Sequence, residues 1–373
     1  MRPGELVPLR GGPLGELVNR IRAVREAGAI PLVGDDRWSE AYWQQLAEAA
    51  RRTTPHPKLA WAASTSGSSG TPRIVLRSET SWASSFALIA DLLEVDSDDA
   101  IALPAPPASS LTLFSLAHAL AGGPRPVMSE AHSIAAADYQ DATCFHGTPQ
   151  AFRALLDAPP PRLKSALIGG SRLDPVLRTR AEALGIRVIA YYGAAELSFV
   201  AADSGEGLRS LPGVELRVEQ NELWVRSPFV AHTYADRPLR RDGEWVTAGD
   251  RAELGNDGLR LLGRSDDAIL TASATVVPEE VETLLRTLPG VSDAAVIGVP
   301  HPTLGAVVVA VIEAERQSRP KLSELKEASR ELLAPAHRPR RWFVGDLPRT
   351  ASGKPQRARL RRAIETGEVA SLD

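Results

Sequence analysis

ATCFHGTPQAFRALLDAPPPRLKSALIGGSRLDPVLRTRAEALGIRVIAYYGAAE, residues 142–196, decides the fold. Three short apolar runs, Ala142–His146, Ser165–Ile168 and Val188–Tyr191, read as strands. The stretches between them, Pro149–Leu156 and Pro175–Leu184, read as helices. Strands alternating with helices in this way predict an α/β layer built on a mostly parallel sheet.

The same alternation extends toward the N-terminus, with a strand near Ala100–Leu103 between helices at Ser81–Leu93 and Leu111–Ala121. Further upstream, Leu14–Ala27 and Trp38–Arg51 read as amphipathic helices around a short strand, Ala29–Val33. An apolar run at Leu59–Ala63 leads into a Gly/Ser-rich loop, and the β-branched stretch Ile74–Leu76 follows at once, which predicts a hairpin. Downstream the character changes. Val214–Val218, Glu222–Arg226, Glu244–Thr247 and Leu259–Leu262 read as short strands, with the turn Asn256-Asp257-Gly258 between them. These define a β-rich subdomain at about 211–262. Gly263–Asp267 is charged and poor in apolar residues, as a linker is. The remainder reads as an α+β unit, with helices at Pro278–Leu288 and Lys321–Leu333 and strands at Ala294–Val299, Ala306–Val311 and Arg341–Val344. The expected organisation is a large α/β N-terminal domain, residues 1–265, and a small mobile α+β C-terminal domain, residues 266–373.

Composition excludes several classes. Apolar residues make up 43% and charged residues 24% of the 373, which suits a chain that buries a core. A formal net charge of -3 argues against a globally basic nucleic-acid binder. The single cysteine, Cys144, excludes an intramolecular disulfide and a cysteine-based zinc site, and its apolar strand context predicts a buried thiol. No apolar run is long enough for a membrane span, and Met1 to Pro13 lacks the core of a signal peptide. A soluble cytoplasmic protein is expected. Oligomeric state is not legible.

Four segments can carry chemistry. The loop Thr65-Ser66-Gly67-Ser68-Ser69-Gly70-Thr71-Pro72-Arg73 offers backbone amides, hydroxyls and a guanidinium to a polyphosphate, or is a polar surface hairpin. Tyr191-Tyr192-Gly193-Ala194-Ala195-Glu196 follows a strand, where ligands of open α/β sheets sit. An aromatic there can stack on a base and a carboxylate can hold a divalent metal, or the segment is a strand end with an exposed glutamate. Thr247-Ala248-Gly249-Asp250 places an aspartate on a tight turn, suited to ribose hydroxyls or to ordinary turn chemistry. Leu347-Pro348-Arg349-Thr350-Ala351-Ser352-Gly353-Lys354 ends on one of only five lysines in an arginine-rich chain. That lysine can neutralise a carboxylate attacking a phosphate, or belong to a solvated basic tail. The spacing of Arg357, Arg359, Arg361 and Arg362, with no aromatics between them, suits a solvated helix face better than a nucleic-acid surface.

Together, in this order, these segments resemble the adenylate-forming (ANL) superfamily of acyl-CoA synthetases, adenylation domains and luciferases. Residues 65–73 are similar to its Thr-Ser-Gly-Ser/Thr-Thr-Gly-x-Pro-Lys loop, departing conservatively at Ser69 and Arg73. Tyr192-Gly193-x-x-Glu196 resembles its Tyr-Gly-x-Thr-Glu segment, Ala248-Gly249-Asp250 its Thr-Gly-Asp, and Gly263-Arg264-x-Asp266-Asp267 its hinge. Pro278-x-Glu280-Val281-Glu282 and the Lys354 segment complete the series. The resemblance covers about four-fifths of the chain. It implies that Thr65–Thr71 cradle the phosphates of ATP, with Arg73 beside them as a catalytic group. Tyr192, beside Tyr191 and Gly193, would stack on adenine, and Gly169-Gly170-Ser171 would line the adenine and acyl sites. Asp250 would hold the ribose with Arg264 near, and Glu196 would ligate Mg²⁺. Lys354 would bridge the carboxylate and the α-phosphate, and Asp266 would be the hinge.

The resemblance also carries departures. Only 64 residues precede the loop, which implies a trimmed N-terminal subdomain like that of compact o-succinylbenzoate–CoA ligase-like members. Ala195 replaces a threonine, Ser109-Ser110 stands where many members carry a histidine motif, and Leu270 and Ser273 replace a lysine and a glycine along the expected CoA channel. The implied reaction is activation of a small-molecule carboxylic acid to acyl-AMP, then transfer to CoA. Transfer to a carrier protein or an amine, or a degenerate non-catalytic member, are the alternatives. His146, Phe114, Phe145 and Phe199 lie near the expected acyl site but read as core.

Overall fold

The computed structural model describes residues 1–66, 72–129, 134–264, 269–270, 275–301, 305–315, 319–333, 335–350 and 355–372. A seven-stranded sheet lies at its centre. Its order across the sheet is Arg209–Ser210, Ser198–Asp203, Arg187–Ala194, Ser165–Ile168, Cys144–Gly147, Ala100–Ala102 and Arg125–Val127. The last five run parallel, as the alternation predicts, and the first two turn back antiparallel. Both faces are covered, so successive residues of each strand enter different cores. Cys144, Leu167 and Ile189 face one side, while Phe145, Ala166, Ile168 and Val188 face the other.

Local chemistry starts the covering helices where the sequence places them. Thr148 caps Pro149–Leu155 through Ala151 N–H, and Asp174 caps Pro175–Ala183 through Val176 N–H, each with proline in the first turn. Ser78 caps Glu79–Leu93. One face of that helix packs with Ser110–Leu120 into the core shared by the central sheet and a second one. The second sheet has the order Leu6–Leu9, Ile30–Val33, Trp61–Ser66, Pro72–Arg77, Thr233–Tyr234. Trp61, Trp82, Phe114 and Phe199 form a chain of ring contacts, with centroids 4.7–5.9 Å apart, from one sheet to the other. The expected hairpin is present, with Thr65 opposite Arg73 and Trp61 opposite Arg77.

Several sequence expectations are corrected. Leu6–Leu9 is a strand, parallel to Ile30–Val33, and Arg125–Val127 is the sheet's edge strand. Gly263 and Arg264 are not linker; they end the strand Gly258–Arg264 of the antiparallel β-rich unit, whose strands span 215–264. Arg349 and Arg357 are not solvated. Arg349 pairs with Asp293 and Glu313, and Arg357 with Glu279 and the buried Glu282.

The small C-terminal domain carries a four-stranded sheet, Val291–His301, Gly305–Ala314, Arg341–Val344 and Ala370–Ser371. Helices Pro278–Leu285 and Leu322–Leu332 cover one face, and Arg357–Glu365 covers the other. The unbroken apolar runs 294–297 and 307–312 follow from this: Ala294 and Val296 serve one core, Ala295 and Ile297 the other. Among the described residues, no helix is long and apolar enough to cross a membrane.

Candidate active site

The carboxyl ends of three parallel strands stand side by side. Gly169 N–H donates to Gly147 O at 3.0 Å, and Ile168 is in register with Ala190, so Gly169-Gly170-Ser171 lies beside Tyr191-Tyr192-Gly193. The approach is close: a Cβ at position 169 would come within 2.2 Å of Tyr191 Cζ. Tyr191 Oη lies 3.0 Å from His146 Nε2, and His146 Nδ1 lies 2.8 Å from Ser115 Oγ. His146 is completely buried, and burial, with a smaller contribution from His118, lowers its pKa to about 3. The imidazole is therefore neutral, and either tautomer pairs with both hydroxyls, each of which can donate or accept. Burial pushes the Tyr191 phenol up. His146 and Phe199 are core packed directly against Tyr191, and Phe114 packs against both of them, whereas Phe145 faces the opposite core with Phe152.

Past Gly193 the chain reverses. Leu197 N–H donates to Ala194 O, and Ser198 takes a left-handed φ of 60°. Glu196 sits on this turn and is 7% exposed, which overturns the reading of an exposed glutamate. Its Oε1 accepts from Tyr234 Oη at 2.7 Å, and its backbone carbonyl accepts from Ala231 N–H. Burial and the neighbouring Glu196 carboxylate both raise the Tyr234 pKa, while Arg73 and Arg237 oppose them, so Arg73 is electrostatically part of this corner.

Beneath the turn lies Arg77, which is completely buried. Its guanidinium donates to Ala195 O (2.7 Å), Phe229 O (2.7 Å) and Ser81 Oγ (3.2 Å) and stands 5.3 Å from the Trp82 ring centroid. Burial lowers its pKa to about 9, against the Glu196 carboxylate, which supports the charge.

Asp250 closes the other flank. Tyr192 Oη donates to its Oδ2 at 2.6 Å. The aspartate is aimed by Gly249, whose φ of 86° is open to glycine at little cost and whose N–H donates to Thr247 Oγ1. Asp250 and Arg264 face each other across adjacent strands.

The structure therefore gathers Arg73, Gly170, Ser171, Tyr191, Tyr192, Gly193, Glu196, Asp250 and the backbone of Arg264 around the ends of the sheets. Thr65 and Ser66 end the strand Trp61–Ser66. Gly67, Ser68, Ser69, Gly70, Thr71, Asp266, Ser273 and Lys354 lie outside the described residues. Sequence reasoning missed Arg77 and Tyr234. Arg77 has one local signal, a charge on the same strand face as Arg73 and Val75. Tyr234 has none, because its partner is 38 residues away.

The Glu196 carboxylate suits a hard cation. Mg²⁺ keeps most of its shell as water and substrate phosphate and takes one or two protein carboxylates, so a single carboxylate donor of this kind fits it. An open parallel sheet with tyrosines, carboxylates and glycine turns at its carboxyl ends has the make-up of a nucleotide-binding α/β enzyme. The chain belongs to the AMP-binding enzyme family, whose model matches residues 16–235; the model of the AMP-binding enzyme C-terminal domain matches residues 280–354. It is 29% identical over 319 residues to 2-succinylbenzoate–CoA ligase of Escherichia coli, covering 80% of this chain and 68% of that protein. Its fold is that of ATP-bound MatB from Rhodopseudomonas palustris (TM-score 0.84, 21% identity, 98% of this chain and 90% of that one). It is also that of the o-succinylbenzoate CoA synthetase of Bacillus subtilis in complex with the acyl-adenylate OSB-AMP (TM-score 0.83, 21% identity, 96% and 88%).

Proposed function

We infer that this chain is an AMP-forming acid–CoA ligase. A carboxylate attacks the α-phosphate of ATP, giving acyl-AMP and pyrophosphate; the CoA thiolate then attacks the acyl carbon and AMP leaves. The observation that carries the reading is the placement of Tyr192 and Glu196 at the carboxyl end of the strand Arg187–Ala194, where Asp250 of the β-rich unit bonds to Tyr192 and the strand that leaves the Gly/Ser loop bonds to the Glu196 turn through Arg77. The family and the ligase named above support it.

In this reading the protein's own groups position and neutralise. Tyr192 stacks on adenine while its hydroxyl, already bonded to Asp250, orients that carboxylate toward the ribose hydroxyls. Residues 65–71 and Arg73 hold the phosphates, and Gly170 and Ser171 line the crevice beside them. Glu196 is the protein ligand of Mg²⁺, which when bound offsets phosphate charge. Lys354 brings the substrate carboxylate and α-phosphate together, so that adenylation needs in-line placement rather than covalent help. The small domain, beginning near Asp266, turns between the half-reactions, removing Lys354 and admitting CoA along the segment containing Ser273. ATP and CoA as substrates make the cytoplasm its compartment.

The test is pyrophosphate release from ATP across a panel of carboxylic acids, followed by AMP release with and without CoA. CoA-dependent AMP release with at least one acid is expected. Pyrophosphate release with no CoA dependence for any acid would replace CoA by a carrier protein or an amine. No release with any acid would refute adenylation.

A further inference from the structure

We propose that Arg77 is a positioning residue for the adenylation step, a clamp that holds the Glu196 turn against the strand descending from the phosphate loop. The proposal rests on the ligase reading above. Three separate segments meet at this one guanidinium. Arg77 ends the strand Pro72–Arg77 that leaves the loop, Ala195 O belongs to the turn before Glu196, and Phe229 O belongs to the segment leading to Tyr234. Tyr234 then closes the circuit by donating to Glu196 Oε1, and its strand pairs with that of Arg77.

The chemistry of the clamp is specific to arginine. A planar fork reaches two carbonyls and a hydroxyl at once, which an ammonium on a flexible stem cannot do with the same geometry. Arg77 and Glu196 are both buried, and charges removed from water persist only when compensated. The hydrogen-bond acceptors of Arg77, Ser81 Oγ, Phe229 O and Ala195 O, are all neutral, so the compensating charge comes through space from the Glu196 carboxylate. The guanidinium thus holds the turn by hydrogen bonds and its carboxylate by field. The hydrogen bonds of Arg77 go to Ala195, Phe229 and Ser81, whereas on the adenine and ribose flank Tyr192 bonds to Asp250.

This separation makes the role measurable. Misplacing a catalytic group by about 1 Å costs on the order of 10²-fold in rate. Arg77→Met should therefore lower kcat for acyl-adenylate formation by ~10²-fold, with ATP affinity changed by less than about threefold because Tyr192 and Asp250 remain. Arg77→Lys, which keeps the charge but not the fork, should recover part of the rate, to within about tenfold of wild type. Thioester formation from presynthesised acyl-AMP, which needs no pyrophosphate departure, should keep its wild-type rate in both variants. If Arg77→Met does not fold, Arg77→Lys carries the test alone. Equal loss of both half-reactions in a folded variant, loss expressed mainly in ATP affinity, or undiminished adenylation would each overturn the proposal. Wild-type protein inactive with every acid would instead remove the ligase reading, and the proposal with it.

Discussion

Gly169→Ala tests the tightest contact in the site. The added methyl would lie 2.2 Å from Tyr191 Cζ, 2.3 Å from Cε1 and 2.6 Å from the hydroxyl oxygen. Ordinary contact requires the ring to retreat by roughly 1 Å. The ring is packed against Phe199 at a centroid distance of 4.7 Å, and its hydroxyl is 3.0 Å from His146 Nε2. A retreat of that size takes the phenol out of hydrogen-bond range. Overpacking costs about 1–3 kcal/mol, and leaving the buried His146 nitrogen unpaired about 1–3 more. We expect a loss near 3 kcal/mol, read by urea unfolding followed through tryptophan fluorescence. A double-mutant cycle isolates the cause. Tyr191→Ala is costly by itself, but in that background the methyl has room, so Gly169→Ala/Tyr191→Ala should be no less stable than Tyr191→Ala. The interaction energy is then about -3 kcal/mol, at the upper end for residues in contact. Additive costs, or a Gly169→Ala protein within about 0.5 kcal/mol of wild type, would refute the close approach.

Other expectations follow from the same site. His146 is held neutral by burial, so the unfolded chain takes up a proton below pH ~6.5 that the folded one refuses down to about 3, and stability falls as pH drops through that window. At pH 5 the loss from this group is about 2 kcal/mol, and His146→Gln should flatten the difference between unfolding curves at pH 7 and pH 5; identical slopes would contradict the assignment. Lys354→Ala should lose adenylation by at least ~10²-fold while thioester formation from acyl-AMP survives, and loss of both in folded protein would dismiss the two-conformation scheme. Ser273→Phe should block thioester formation but spare pyrophosphate release, whereas Ser273→Gly should improve or barely change CoA use; normal CoA turnover in the phenylalanine variant would remove Ser273 from the channel.

What the sequence determined by itself was everything that depends on near neighbours. The apolar runs Ala142–His146, Ser165–Ile168 and Val188–Tyr191 alternate with helices that begin where Thr148 and Asp174 can cap them, and a parallel sheet follows from that alternation. The placing of Tyr192, Gly193, Glu196, Gly249 and Asp250 at strand ends and tight turns was legible because such features are written in a few consecutive residues. The tertiary structure decided which of these groups touch. Tyr192 reaches Asp250 across 58 positions, Arg77 reaches Phe229 O across 152, and Tyr234 comes to Glu196 only because its two-residue strand adds to a sheet begun at Leu6. Arg125–Val127 is three residues long with a proline in the middle, too short for any period, and is a strand because Ala100–Ala102 offers it an edge. The buried state of Glu196 and Arg77 has the same origin. A charge reads as exposed in any local window, and its burial is decided by compensating groups that the chain supplies from far away.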